Sequence, residues 1–144
     1  MRKKAFFDSS VIIAALLSRD GASYYILSQF SGDFEFTINE YVFEEVRRSI
    51  EVKFKNQPML LSNLFSIIGL SGMLTLQNPN KQAVREAEKV ISKKDAQVLA
   101  SALTESDYLL TLDNEFFKSS IIGAAKERHL EILKPGDFIR LFDV

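Results

Sequence analysis

No cysteine occurs among the 144 residues of this chain. Disulfides, zinc–thiolate sites, iron–sulfur clusters and thiol nucleophiles are thereby excluded. Histidine is nearly as scarce. The single one, His129, rules out a multi-histidine metal site. In its polar C-terminal setting it reads as a surface or structural histidine rather than the base of a Ser-His-Asp triad. Any metal held by this chain would meet mainly oxygen ligands, which favours hard cations such as Mg²⁺ or Mn²⁺. Long apolar runs are missing too: none approaches the ~20 residues of a transmembrane helix, so no membrane partner is expected. Nor does charge of one sign dominate. Eighteen basic side chains face 19 acidic ones, a formal net charge of -1, so any nucleic-acid contact must come from local basic patches. The start, Met1-Arg2-Lys3-Lys4-Ala5, has the charge of a signal n-region. However, Asp8 interrupts the apolar stretch and no small-residue cleavage site follows cleanly, so the expectation is a mature cytoplasmic protein.

What is present is an ordinary globular composition, 47% apolar and 26% charged, in a length that suits one domain over residues 1–144. The pattern alternates short strands with helices. Strands are expected at Lys4 to Phe7, Phe34 to Ile38, Gly72 to Leu76, Tyr108 to Leu112 and Leu130 to Leu133. Helices are expected over Val11–Leu17 (capped by Ser9 or Ser10), Ala22–Phe30, Glu40–Lys55 (capped by Asn39), Met59–Ile68 (ending at Gly69), Lys81–Ile91 and from Asp95 onward. A short helical turn over Asn114–Lys118 and a C-terminal helical segment after Pro135-Gly136 complete the reading. Such alternation predicts a three-layer α/β/α domain around a short, mostly parallel sheet.

Two of the expected strands end in an aspartate: Ala5-Phe6-Phe7-Asp8 and Tyr108-Leu109-Leu110-Thr111-Leu112-Asp113. In an open α/β sheet the carboxyl end is where ligands bind, and an apolar strand needs no acid there for stability. Two helix acids join them as candidates. Asp95 lies three and four residues before Val98 and Leu99, at the amino end of the inward face; its blander reading is a simple N-cap or first-turn acid. At ~100° per residue, Glu45 falls between Tyr41 and Val42 at the edge of the apolar face, whereas Glu44 points to solvent and can pair with Arg48. Carboxylates converging at a sheet edge repel one another, and a divalent cation removes that penalty. An oxygen-ligated Mg²⁺ or Mn²⁺ pair suits phosphodiester hydrolysis.

These residues resemble the PIN-domain nucleases, in particular the toxin branch of toxin–antitoxin systems. The stretch FFDSSVIIAALLSRDG looks like that family's first strand, acid and helix. FTINEYVFEEVRRSI resembles its second strand and acidic helix, DAQVLASALTESDYLLTLDNEFF its third acid, helix, strand and fourth acid, and ILKPGDFI its closing strand and helix. The resemblance covers nearly the whole chain and is weakest over Asn56–Gln77. It implies a PIN-like fold and a Mg²⁺- or Mn²⁺-dependent endoribonuclease. Asp8, Glu45, Asp95 and Asp113 would be its catalytic, metal-binding quartet, supported by Thr111 and by Ser10, which stands where the family often has asparagine. It also implies an RNA substrate, a protein antitoxin and a homodimer.

Among basic residues, Arg47, Arg48, Lys53 and Lys55 follow the helix that carries Glu45, and Lys81, Arg85, Lys89 and Lys93 recur every four residues. Either set could contact phosphates, and the second reads more readily as a solvated face. Most of the 12 phenylalanines read as core. Phe30, Phe54, Phe65 and the Phe138–Phe142 pair are candidates for a dimer or antitoxin surface. The competing reading from another class is a non-catalytic PIN-like module that binds RNA or protein. A haloacid-dehalogenase-type phosphotransferase would want a second acid at position 10, where Ser10 stands, and a receiver domain would want an acidic pair where Arg2-Lys3-Lys4 stands.

Overall fold

The computed structural model describes residues 1–143. The chain runs β1 (Lys3–Phe7), α1 (Ser9–Leu17), α2 (Ala22–Gln29), β2 (Phe34–Asn39), α3 (Glu40–Lys53), α4 (Met59–Ser71), β3 (Leu74–Leu76), α5 (Lys81–Glu88), α6 (Lys93–Glu105), β4 (Tyr108–Leu110), a 3-10 turn (Asn114–Phe117), α7 (Ser119–Glu127), β5 (Glu131–Leu133) and α8 (Pro135–Phe142). The five strands form one sheet in the order β3-β2-β1-β4-β5, and every pairing is parallel. Ala5, Phe6 and Phe7 in β1 and Leu109 and Leu110 in β4 are wholly buried, as expected of strands covered on both faces. Crossovers of the usual right hand would put α1–α4 on one face and α5–α7 on the other. Accordingly α1, α2, α3 and α4 pack among themselves and α5 packs on α6. The expected three-layer α/β/α architecture is what forms.

The strand order fixes where a site can lie. From β1 the chain steps outward through β2 to β3, then returns past β1 to β4 and β5. The direction reverses between β1 and β4, and in open α/β sheets ligands bind at the carboxyl ends of such a pair. Asp8 N–H donates to Leu110 O at 3.0 Å, which holds the two strand ends side by side.

Several local expectations are corrected. Asp8 itself, not Ser9 or Ser10, caps α1: its backbone is extended and its side chain accepts from Ser9 N–H. α4 runs past Gly69 and stops at Gly72, whose φ of 66° is the left-handed cap conformation that glycine adopts without steric cost. β3 is correspondingly shorter. α5 ends at Glu88, and α6 starts at Lys93, so Asp95 is its third residue rather than its cap. α7 has no counterpart among the expected helices.

The amino edge of the sheet is closed by rings. Phe34 meets Phe138 at 4.9 Å, Phe142 at 5.0 Å and Tyr108 at 6.0 Å between centroids. Phe30 and Phe138 are therefore buried core residues rather than a partner surface. Phe54 and Phe142 are partly buried against the same core, and Phe65 alone of that group is well exposed. Among the described residues no helix is long and apolar enough to cross a membrane.

Candidate active site: four carboxylates at the carboxyl edge

Asp8 is 6% exposed and sits at the reversal point. Its Oδ1 accepts from Ser9 N–H at 2.8 Å. Its Oδ2 accepts from the Ser10 hydroxyl at 2.9 Å and the Thr111 hydroxyl at 2.7 Å. Each hydroxyl also reaches the segment after β4: Ser10 Oγ accepts from Leu112 N–H and Thr111 Oγ1 from Asp113 N–H, both at 3.0 Å. Two hydroxyls thus bind the acid after β1 to the turn that carries Asp113. Burial pushes the Asp8 carboxyl above its usual range. Bonds from Thr111 and Ser10 oppose that, the charge of Glu45 adds to it, and the Ser9 N–H opposes it again.

The other acids arrive from separate elements. Glu45, half-buried on α3, accepts from Ser9 Oγ at 2.6 Å. Its neighbour Glu44 is exposed and pairs with Arg47 at 2.7 Å, i to i+3, rather than with Arg48 as the i,i+4 spacing suggested. Asp95 is 7% exposed in the first turn of α6 and accepts from Ser92 Oγ at 3.0 Å. Burial raises its carboxyl. Ser92 lowers it, Asp113 raises it, Lys94 lowers it and Asp8 raises it. Asp113 is half-buried and accepts from Glu115 N–H at 3.0 Å, capping the 3-10 turn. Glu115 is tied to Lys118 at 3.0 Å.

All four sequence candidates therefore lie in one electrostatic neighbourhood: Asp8 feels Glu45, and Asp95 feels Asp113 and Asp8. Among the described residues none of the four is in a salt bridge. Among the described residues no three acidic or histidine side chains stand close enough to clasp one ion together; each of the four carboxylates rests on its own hydroxyl or amide donor. That arrangement suits a cation that keeps several of its waters and takes only one or two carboxylates directly, as Mg²⁺ does. The donor set is all oxygen, so the residues present fit a hard cation.

Ser9 was read from the sequence only as a candidate helix cap, and Ser92 was not singled out. For Ser92 a signal existed, the Ser-x-x-Asp spacing of a helix start. For the bond of Ser9 to Glu45 none did, because that partner lies 36 residues away. Of the basic candidates, Arg47 is held between Glu44 and Glu51, at 2.7 Å from each, while Arg48 and Lys53 stand exposed on the same helix. Lys81, Arg85, Lys89 and Lys93 are exposed, with Lys89 paired to Glu86 at 3.1 Å. His129 is exposed, as read from the sequence.

A family model described as PIN domain matches residues 5–120. No curated protein matches the chain by sequence. Among solved structures, VapBC2 from Rickettsia felis bound to a DNA fragment from their promoter is similar at a TM-score of 0.71 and 14% identity, over 91% of this chain and 98% of that one. PAE2754 from Pyrobaculum aerophilum is similar at a TM-score of 0.70 and 16% identity, over 100% of both chains. At such identities the likeness is one of fold.

Proposed function

This chain belongs to the PIN-domain family, and from that membership together with its four grouped carboxylates we propose that it is a Mg²⁺- or Mn²⁺-dependent endoribonuclease. The observation that carries the reading is Asp8. A buried carboxylate with three hydrogen-bond donors and no cation sits at the reversal point of a parallel sheet, in the field of other acids. Asp8 also caps α1, but asparagine caps a helix as well and would do so there without burying a charge.

One or two of the four carboxylates would hold the metal directly, Asp8 at the sheet edge among them, and the rest of Asp113, Glu45 and Asp95 would reach it through its waters. When bound, the metal would lower the pKa of the attacking water and stabilise charge on the phosphate oxygens. The chain's own part is positioning. A carboxylate offers about four acceptor sites, and Asp8 spends three on Ser9, Ser10 and Thr111. One site remains on Oδ1, so Asp8 acts as a single-oxygen ligand of fixed direction. Thr111 and Ser10 hold that direction and fix Asp113 relative to it. Ser9 and Ser92 do the same for Glu45 and Asp95. Arg48 and Lys53, with Arg47 once it is released from its acids, are the residues we assign to RNA phosphates.

We further propose that the chain is a single domain and a cytoplasmic toxin that works as a homodimer and is restrained by a protein antitoxin. The similarity in fold to VapBC2 supports the antitoxin, and the end-to-end match with PAE2754 supports the single domain. The test is cleavage of single-stranded RNA in Mn²⁺ or Mg²⁺. Cleavage should stop in EDTA and fall at least ~100-fold in folded Asp8→Asn and Asp95→Asn. Cleavage that persists in EDTA or in both variants overturns the reading. RNA binding without metal uptake in calorimetry would instead mark a non-catalytic module.

A further inference from the structure

Three of the four tyrosines have structural roles. Tyr108 packs in the aromatic cluster. Tyr25 meets Phe30 and donates its hydroxyl to Asp143 at 3.1 Å. Tyr24 lies under the Arg19 guanidinium. Tyr41 is different, since among the described residues its ring pairs with no other ring and no cation. Its backbone, by contrast, is pinned. Tyr41 N–H donates to Asn78 Oδ1 at 2.8 Å, and Asn78 N–H donates to the Glu40 carboxylate at 3.2 Å. The first turn of α3 is thereby clamped to the loop after β3.

That turn lies beside the acids. Helical side chains lean toward the helix N-terminus, and residues four apart lie over one another. Glu45 therefore leans toward Tyr41, and Tyr41 stands in the first turn of α3, which follows directly on the carboxyl end of β2. The half-buried phenol is pushed up by burial first, then by Glu45 and Asp95, with Arg48 opposing and Asp8 adding. Three of the four carboxylates thus reach the ring with their charge.

We propose that Tyr41 is a stacking platform for one unpaired base of the RNA, beside the phosphate presented to the four acids. The proposal rests on the ribonuclease reading above and deepens it to a strand that is single-stranded at the cut. The metal, Arg48 and Lys53 would act on phosphates, and none of them grips a base. A base has an uncharged π-face, and an aromatic ring can take it whatever the base is. A base within a duplex is already stacked and out of reach.

The chain has no tryptophan, so Tyr41→Trp introduces one fluorophore at the site. It is titrated, in Ca²⁺ to limit cleavage, with a short single-stranded RNA of mixed sequence and with the same RNA made abasic throughout. The base-bearing RNA should quench the indole and the abasic RNA should not. In parallel anisotropy titrations with the protein otherwise unaltered, Tyr41→Leu should weaken binding of the base-bearing RNA about 10-fold or more, and Tyr41→Phe, which keeps the ring, should rescue it. Tyr41→Leu should not change binding of the abasic RNA. In Mn²⁺, Tyr41→Leu should raise KM for cleavage with a much smaller change in kcat. Equal binding of the two RNAs, equal affinity of Tyr41→Leu and the unaltered protein, or no binding of either RNA overturns the proposal. Base-dependent binding through Tyr41 without any metal-dependent cleavage would leave the platform standing and remove the ribonuclease reading instead.

Discussion

Asp8 is buried at the carboxyl edge of the sheet and, among the described residues, has no salt-bridge partner. Its carboxyl, like that of Asp95, is raised by burial, so in both cases the folded state binds a proton more tightly than the unfolded state does. Without metal, their contribution to stability is present below the unfolded carboxyl value and is lost as pH rises through the folded one. Asp95→Asn removes one such group while keeping an acceptor for Ser92. In metal-free protein its melting temperature should match the unaltered protein's at pH below the ordinary carboxyl value of 3.8. It should exceed it increasingly as pH rises, as read by a thermal melt across pH. A gap that shrinks toward neutral pH would contradict the assignment. Thr111, wholly buried, donates to Asp8 and accepts from Asp113 N–H. Thr111→Val should retain the fold and lose about 10–100-fold in metal affinity or cleavage rate, measured by Mn²⁺ calorimetry and turnover. At this level the grouping of the candidate acids was legible. The wheel separated Glu45 from Glu44 because burial follows helical phase. The Ser9–Glu45 bond was not legible, because it depends on how α3 packs over α1.

Helix ends were read less well than helix faces, since an end is decided by one residue's backbone. Two glycines sit near the end of α4, and only Gly72 has the left-handed conformation that closes it. The same conformation closes α7 without glycine. His129 has a φ of 60°, its N–H bonds Lys126 O at 3.0 Å, and Leu130 N–H bonds Ala125 O at 2.9 Å, a Schellman ending. α7 is hard to see in the sequence because its stop residue is histidine and Gly123 interrupts its short apolar pattern, Ile121, Ile122 and Ala125. His129→Gly should relieve the strained backbone and stabilise the protein by about 0.5–1 kcal/mol. A higher urea midpoint at unchanged slope would show it; an unchanged or lower midpoint would not fit. α8 is anchored by Phe138, wholly buried against Phe30, Phe34, Tyr108 and Phe142. Phe138→Ala should cost about 3–5 kcal/mol in the same measurement.

The alternation of strands and helices made the layers legible, but not the strand order. Parallel strands pair through long crossovers, and nothing local in Leu74–Leu76 or Glu131–Leu133 says which edge each takes. The order matters, because the return from β3 past β1 to β4 sets Asp8 beside Thr111 and Asp113. It brings two strand-end aspartates from opposite ends of the sequence into one candidate site. A net charge of -1 gives no general attraction to RNA, so the proposed reading leaves RNA binding to Arg48, Lys53 and the Tyr41 ring. All of this depends on the carboxylates sharing a divalent cation. The most direct test is anomalous diffraction from crystals soaked in Mn²⁺. The account predicts a peak at the carboxyl edge between β1 and β4, with an oxygen of Asp8 about 2.1 Å away and Glu45, Asp95 and Asp113 coordinating directly or through water. Soaked crystals with no peak there, or with Mn²⁺ bound only elsewhere on the surface, would contradict it.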